Sequence, residues 1–276
     1  MTSKATVERH LLLEGIYLKY GYDFRNYTET SLDRRLEAVM KKLSQEHEVD
    51  LLSTLLKDED TFQKILPMLT ITTSEMFRDP SFFLSLRQNV LPLLKTYPNI
   101  NIWTAGCSTG EELHSLAIML QEEGLLERSR IFATDINPVA IRAAKEGIYT
   151  LESIKNFTKN YVAAGGTGSP SDYYTANYNR ARLRSSLRDN VVFAEHNLAT
   201  DGVFMEAHLV ICRNVLIYFN RDLQHRAFTL FHQSLAPRGF LGLGSKETLR
   251  FSSISEGFDV LDKENKIFQK NRKVIS

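Results

Sequence analysis

Residues Asn101 to Glu112 (NIWTAGCSTGEE) bring together an apolar run, two closely spaced glycines and two adjacent carboxylates. Gly106 and Gly110 permit a sharp turn and close backbone approach to a ligand, and strand–turn–helix junctions are where α/β proteins hold cofactors. The lysine of a G-x-x-x-x-G-K-[ST] phosphate loop is missing, and so is the spacing of a G-x-G-x-x-G dinucleotide turn. Glu111 and Glu112 stand there instead, where they would repel pyrophosphate and suit a cation. Ser108-x-x-Glu111 and Thr109-x-x-Glu112 are overlapping capping-box patterns, which predict side-chain caps at the helix start.

A second acid follows one strand later. Ser129 to Asp135 (SRIFATD) reads as an apolar strand ending in a carboxylate, with Asn137 as N-cap and Pro138 opening the next helix. Two acids in this order fit S-adenosylmethionine (SAM), whose sulfonium and ammonium groups attract one carboxylate and whose ribose hydroxyls bond another. Asp135 is then the ribose ligand. Taken alone, either acid also reads as an ordinary helix-terminus charge.

The elements that must carry these residues show in the texture of the chain. Its 276 residues are 43% apolar, enough for a substantial core, and its net charge of +1 does not argue for nucleic acid. The first 80 residues carry helical patterns, notably Ser31 to Leu43, with Leu32, Leu36, Val39, Met40 and Leu43 on one face. From Asn101 strand and helix alternate, which argues a parallel sheet with helices on both faces. Short strands at Asn190–Glu195 and His208–Cys212 end at Asn197-Leu198 and Arg213-Asn214, gathering those groups at the carboxyl edge of the sheet. Helix 222–235, strand 240–244 and a hairpin over 258–269 complete the reading. Cys107 and Cys212, both at strand ends, read as small buried residues. No apolar run reaches membrane-spanning length and no signal peptide opens the chain, so a soluble, cytoplasmic protein without a metal site is expected.

Between Tyr149 and Asp189 the alternation breaks. Arg180, Arg182 and Arg184 would share one face of a strand flanked by tyrosines. Such an edge suits an acidic peptide, and equally an ordinary solvated face.

Four segments, Thr70–Pro80 (TITTSEMFRDP), the turn AGCSTGEE, the strand ATDIN and Ile211–Phe219 (ICRNVLIYF), resemble in content and order the chemotaxis receptor glutamate methyltransferases, the CheR family. The resemblance spans nearly the whole chain. It implies a Rossmann-like class I SAM methyltransferase sheet (81–276), an N-terminal all-helical domain (1–80) and a small inserted antiparallel β-subdomain at about 160–188. It also implies methyl transfer to receptor glutamates. By match to the family motifs, Thr72, Ser74, Arg78, Gly106, Glu112, Asp135, Asn197, Leu198, Arg213 and Asn214 would bind SAM, with Asn197 and Leu198 around the adenine and Arg213 and Asn214 flanking the methionine end. Arg78 and Tyr218 would align the acceptor carboxylate. Where many members have Asn, Thr and two phenylalanines before that arginine, this chain has Thr72, Ser74, Met76 and Phe77, and His114 replaces a tyrosine after the glutamates. In partners, the resemblance implies a chemoreceptor's cytoplasmic helices, met by a helix face bearing Arg34, Arg35, Lys41 and Lys42, and in some members a receptor C-terminal peptide on the β-subdomain. No nucleic acid and no membrane insertion are expected. A methyltransferase acting on RNA or a small molecule, or a docking module that has lost catalysis, remain the alternatives.

Overall fold

The computed structural model describes residues 3–250 and 252–273. Four helices come first: α1 (Lys4–Tyr20), α2 (Glu29–Leu43), α3 (Glu48–Lys57) and α4 (Glu59–Leu69). Ser3 caps α1 by accepting from the Thr6 N–H, and Gly21 ends it in the left-handed region. Leu12, Ile16, Leu36, Val39, Leu51 and Phe62 close their common core.

After an extended stretch, α5 (Pro80–Ser85) runs through one π-helical turn into α6 (Leu91–Leu94). There follow β1 (Ile100–Ala105), α7 (Glu111–Glu122), β2 (Ser129–Asp135), α8 (Pro138–Glu146), β3 (Ile148–Thr150), α9 (Phe157–Ala163), β4 (Tyr174–Asn177), β5 (Arg180–Leu183), β6 (Val191–Glu195), β7 (Ala207–Cys212), α10 (Arg221–Ser234), β8 (Leu235–Leu243), β9 (Phe258–Asp262) and β10 (Ile267–Lys270).

Seven strands form one sheet in the order β6-β2-β1-β7-β8-β10-β9. The first five are parallel, and β10 runs antiparallel to both neighbours. Strand order reverses beside β1, which opens a crevice at the carboxyl ends of β1 and β7. The expected class of fold, a mostly parallel methyltransferase-type sheet with a helical N-terminal part, is therefore present. Strand β1 is covered on both faces: Ile100 and Ile102 join one apolar cluster with α5, α6 and α7, and Trp103 joins another with α10. Trp103 is fully buried, and its indole N–H donates to Thr134 Oγ1 at 2.8 Å, so its large apolar area goes into the core without an orphaned donor.

The second sheet is antiparallel, in the order β3-β5-β4. Its first strand, Ile148–Thr150, lies ahead of the segment 160–188 expected to hold it. Strand β5, carrying Arg180 and Arg182, is central and not an edge, because the turn at Tyr178-Asn179 folds β4 onto one side and β3 covers the other. Ala181 and Leu183 are buried while Arg180 and Arg182 stay exposed, and Arg184 lies just past the strand.

Candidate functional site

A cleft lies at the carboxyl ends of the parallel strands. Its floor is the turn after β1. Gly106 sits at φ 75°, and a Cβ there would come within 2.5 Å of Val215 Cγ2, so the turn can lie this close to the segment after β7 only with glycine. The Gly106 and Cys107 N–H groups both donate to Thr134 O at 2.8 Å, and the Ser108 N–H donates to Asp135 Oδ2 at 2.8 Å. The two predicted capping boxes do not form. Gly110 is the N-cap of α7, with no side-chain cap, because the Ser108 backbone turns left-handed (φ 51°) toward Asp135 and the Thr109 hydroxyl bonds Glu111 instead.

Asp135 ends β2 as expected. It also accepts from the Asn137 N–H at 2.9 Å, and Asn137 caps α8 through Val139 and Ala140. Burial raises the Asp135 carboxyl pKa against the opposing pull of these backbone donors. Glu112 is likewise raised, by burial first, with the Arg213 cation opposing.

Arg213 organises the far wall. Its side chain is 1% exposed and lies 2.6 Å from Glu112 Oε2 and 2.7 Å from Asp79 Oδ2, over the Phe82 ring at 4.1 Å. It also donates to the Arg78 carbonyl at 3.2 Å. Together with Ser115, whose hydroxyl oxygen accepts the Phe77 N–H, and Asn160, which donates to Met76 O, it pins the segment that presents Arg78. Phe77 and Asp79 on either side of Arg78 have φ of 51° and 54°, strain of about 1–3 kcal/mol each that these contacts must hold. The Arg78 guanidinium itself lines the cleft and makes no hydrogen bond or ion pair among the described residues. The Tyr218 hydroxyl is likewise without a partner there.

Of the residues expected at the site, Ser74, Arg78, Gly106, Glu112, Asp135, Asn197, Leu198, Arg213, Asn214 and Tyr218 all line this one cleft. Thr72 does not. Thr70, Ile71, Thr73 and Ser74 on either side of it do. The larger correction is Arg35. Expected on a solvated basic face with Arg34, Lys41 and Lys42, it is 6% exposed, while the other three are exposed. It falls within the buried stripe of Leu32, Leu36 and Val39, donates to Leu69 O and Ser31 Oγ, and sets its guanidinium 5.0 Å from the Tyr218 ring centre.

Tyr27, also from the helical part, lines the cleft too. Its ring packs on Phe219 at 5.0 Å, and backbone bonds from Thr28 N–H to Tyr218 O and from Asn220 N–H to Asn26 O, both 2.8 Å, seam the helices to the turn after β7. Spacing within the sequence carried a sign of Arg35, three residues after Leu32 on an apolar stripe, but none of Tyr27.

The chemistry of these walls fits SAM. Two acids and three arginines face a ligand that carries both signs, and the Ser108 hydroxyl is buried in the cleft without a partner among the described residues. Residues 72–267 match the family described as CheR methyltransferase, SAM binding domain, and residues 8–70 match the CheR methyltransferase all-alpha domain.

The chain belongs to the CheR methyltransferase family.

Cher3 of Pseudomonas putida is 54% identical over 98% of this chain and 100% of its own length. The chemotaxis protein methyltransferase of Listeria monocytogenes is 29% identical over 83% of this chain and 85% of its own. Among solved structures, the N-methyltransferase NodS of Bradyrhizobium japonicum, in complex with S-adenosyl-L-homocysteine, is 16% identical over 62% of each chain with a TM-score of 0.34, a likeness too weak to carry an argument. As a CheR methyltransferase, the protein uses SAM as methyl donor. No described helix is long and apolar enough to cross a membrane.

Proposed function

We propose that the protein methylates glutamate side-chain carboxylates on the cytoplasmic helices of chemoreceptors, forming methyl esters. The observation that carries this reading is the pairing of two unpartnered groups, the Arg78 guanidinium and the Tyr218 hydroxyl, in the cleft that also holds the glycine turn and Asp135. A glutamate with a reference pKa of about 4.3 is ionised at neutral pH and needs no general base. What it needs is alignment, which a planar arginine fork and a directional phenol can give.

When bound, SAM supplies an electrophilic methyl on a positively charged sulfur, which the carboxylate oxygen takes as the carbon–sulfur bond breaks. Asp135 and Asn197 lie on the side where the nucleoside would sit. Asn214 and the Arg213–Glu112 pair lie on the methionine side. Tyr27 and Arg35, brought by the helices, add a further wall to the cleft, and a site that closes off water favours a reaction in which opposite charges vanish. Arg34, Lys41 and Lys42 remain exposed on α2 for an acidic receptor helix. A receptor C-terminal peptide would add to the free edge of β4, next to a groove bearing Lys145, Arg182, Arg184 and Arg188.

Incubation with methyl-labelled SAM and purified chemoreceptor cytoplasmic fragments tests the reading. Label should enter receptor glutamates and leave as methanol in mild alkali. Alkali-stable label, or label entering RNA or small molecules only, points to a different acceptor, and SAM binding with no transfer to any acceptor points to a docking module.

A further inference from the structure

Glu247 lies beyond β8, outside every motif that marked the site, and it is buried to 4% exposure. Its carboxylate reaches back across the sheet edge to the turn after β7. Oε1 accepts the N–H groups of Val215 at 3.0 Å and Leu216 at 2.8 Å, and Oε2 accepts the Gly244 N–H at 2.6 Å. The turn so held begins at Asn214, in the left-handed region at φ 61°, and ends in the short 3₁₀ turn Leu216–Tyr218. A Cβ on Gly244 would come within 2.8 Å of both the Asn214 N and Glu247 Oε2, so the two segments meet at closer range than any side chain allows. Val215, bonded by Glu247, also closes against Gly106 on the cofactor turn.

We propose that Glu247 is a positioning residue for methyl transfer. A single buried carboxylate gathers the donors of the turn that carries Asn214 and Tyr218, and so fixes where the Tyr218 hydroxyl stands relative to the acceptor. The assignment rests on the reading that Tyr218 bonds the acceptor carboxylate. A carboxylate is needed because it offers acceptors only, at both oxygens. An amide at the same position keeps one oxygen for Val215 and Leu216 but sets an NH₂ against the Gly244 N–H, donor against donor. The turn then shifts, and misplacement of a catalytic group by a fraction of a bond length lowers turnover steeply.

A double-mutant cycle on the full chain separates positioning from mere support. Glu247→Gln, Tyr218→Phe and the double variant are compared for kcat and KM with methyl-labelled SAM and chemoreceptor cytoplasmic fragments, with S-adenosylhomocysteine binding by calorimetry and thermal melting as checks of fold. Glu247→Gln should lower kcat by about ten- to a hundredfold in the native background and by less than about threefold in the Tyr218→Phe background. Its effect on KM for SAM, transmitted through Asn214, should be the same in both.

An equal kcat loss in both backgrounds, or none in the native one, overturns the proposal. Full kcat in Tyr218→Phe alone overturns the role of Tyr218 itself, a separate result read from a separate variant. Should Glu247→Gln not fold, Glu247→Asp, which keeps the charge and withdraws it by one methylene, runs through the same cycle with the same criteria.

Discussion

On the cofactor side of the cleft, the carboxylates are already engaged, although the Ser108 hydroxyl is not: Asp135 takes backbone N–H groups from Ser108 and Asn137, and Glu112 is paired with Arg213. On the acceptor side, the Arg78 guanidinium and the Tyr218 hydroxyl make no hydrogen bond or ion pair among the described residues, although the backbone that carries each is tied down at several points. The difference follows what each side meets. A cofactor of constant shape is best met by groups locked before it arrives, since locked groups lose little freedom on binding. An incoming side chain from another protein is met by groups whose hydrogen-bonding capacity is still unspent.

Removing a group from each side tests the contrast. Arg78→Ala deletes a cation that makes no hydrogen bond or ion pair, though its charge draws the Glu112 carboxyl pKa down, so stability and S-adenosylhomocysteine affinity should change little while kcat falls by about a hundred- to a thousandfold. Calorimetry and single-turnover assays on one preparation give both numbers. Unchanged turnover would remove Arg78 from the mechanism. Asp135→Ala acts on the locked side and releases the Ser108 and Asn137 N–H groups as well as its ligand contact. Nucleoside affinity should drop by about ten- to a hundredfold, or about 1.4–2.7 kcal/mol, with a smaller change in kcat at saturating SAM. If instead kcat fell and affinity held, the division of labour between the two sides would be reversed.

The locked side was the more legible one in the sequence. Strand, glycine turn, helix and second strand lie within a contiguous stretch, and Gly106, the Glu111-Glu112 pair and Asp135 are legible from spacing because local periodicity carries the geometry, although the choice of Glu112 over Glu111 came from the resemblance. The same reasoning failed at the capping boxes, since a long-range bond from Ser108 to Asp135 overrode a local pattern. The acceptor side is assembled from distant pieces. Arg35 sits on a helix of the N-terminal part, Arg78 on the connecting stretch, Tyr218 after β7 and Glu247 after β8, and no window of sequence contains two of them. Arg78 and Tyr218 were reached only through resemblance. Arg35 was placed on a solvated face because a charged residue at an apolar-stripe position is usually at the surface, and here the Leu69 carbonyl and the Tyr218 ring make burial tolerable.

The smallest effect probes how the locked side is kept locked. His114 is fully buried one turn into α7; its Nδ1 lies 2.7 Å from Gly110 O and 2.9 Å from the Tyr149 hydroxyl, which donates to Thr109 O at 2.7 Å. Burial pushes the imidazole pKa down to about 3, with the Gly110 carbonyl opposing and Arg188 adding to the fall. The native ring is therefore neutral where the unfolded ring, near pH 6.5, takes a proton. Between those values the unfolded chain binds more protons, so this contribution to stability is complete above about pH 6.5 and is lost as pH falls, at a limiting slope of about 1.4 kcal/mol per unit. Glu111, Glu112, Asp135 and Glu247, all raised by burial, act in the opposite direction, so only a difference isolates the histidine. Denaturant unfolding of native protein and His114→Leu at pH 7 and pH 5 supplies it, and the variant should be the less acid-sensitive of the two. Equal sensitivity would mean that the native ring takes its proton at the same pH as the unfolded one, so that a cation would appear beneath the cofactor turn as pH falls through about 6.5, making that side electrostatically more like the acceptor side than its hydrogen bonds suggest.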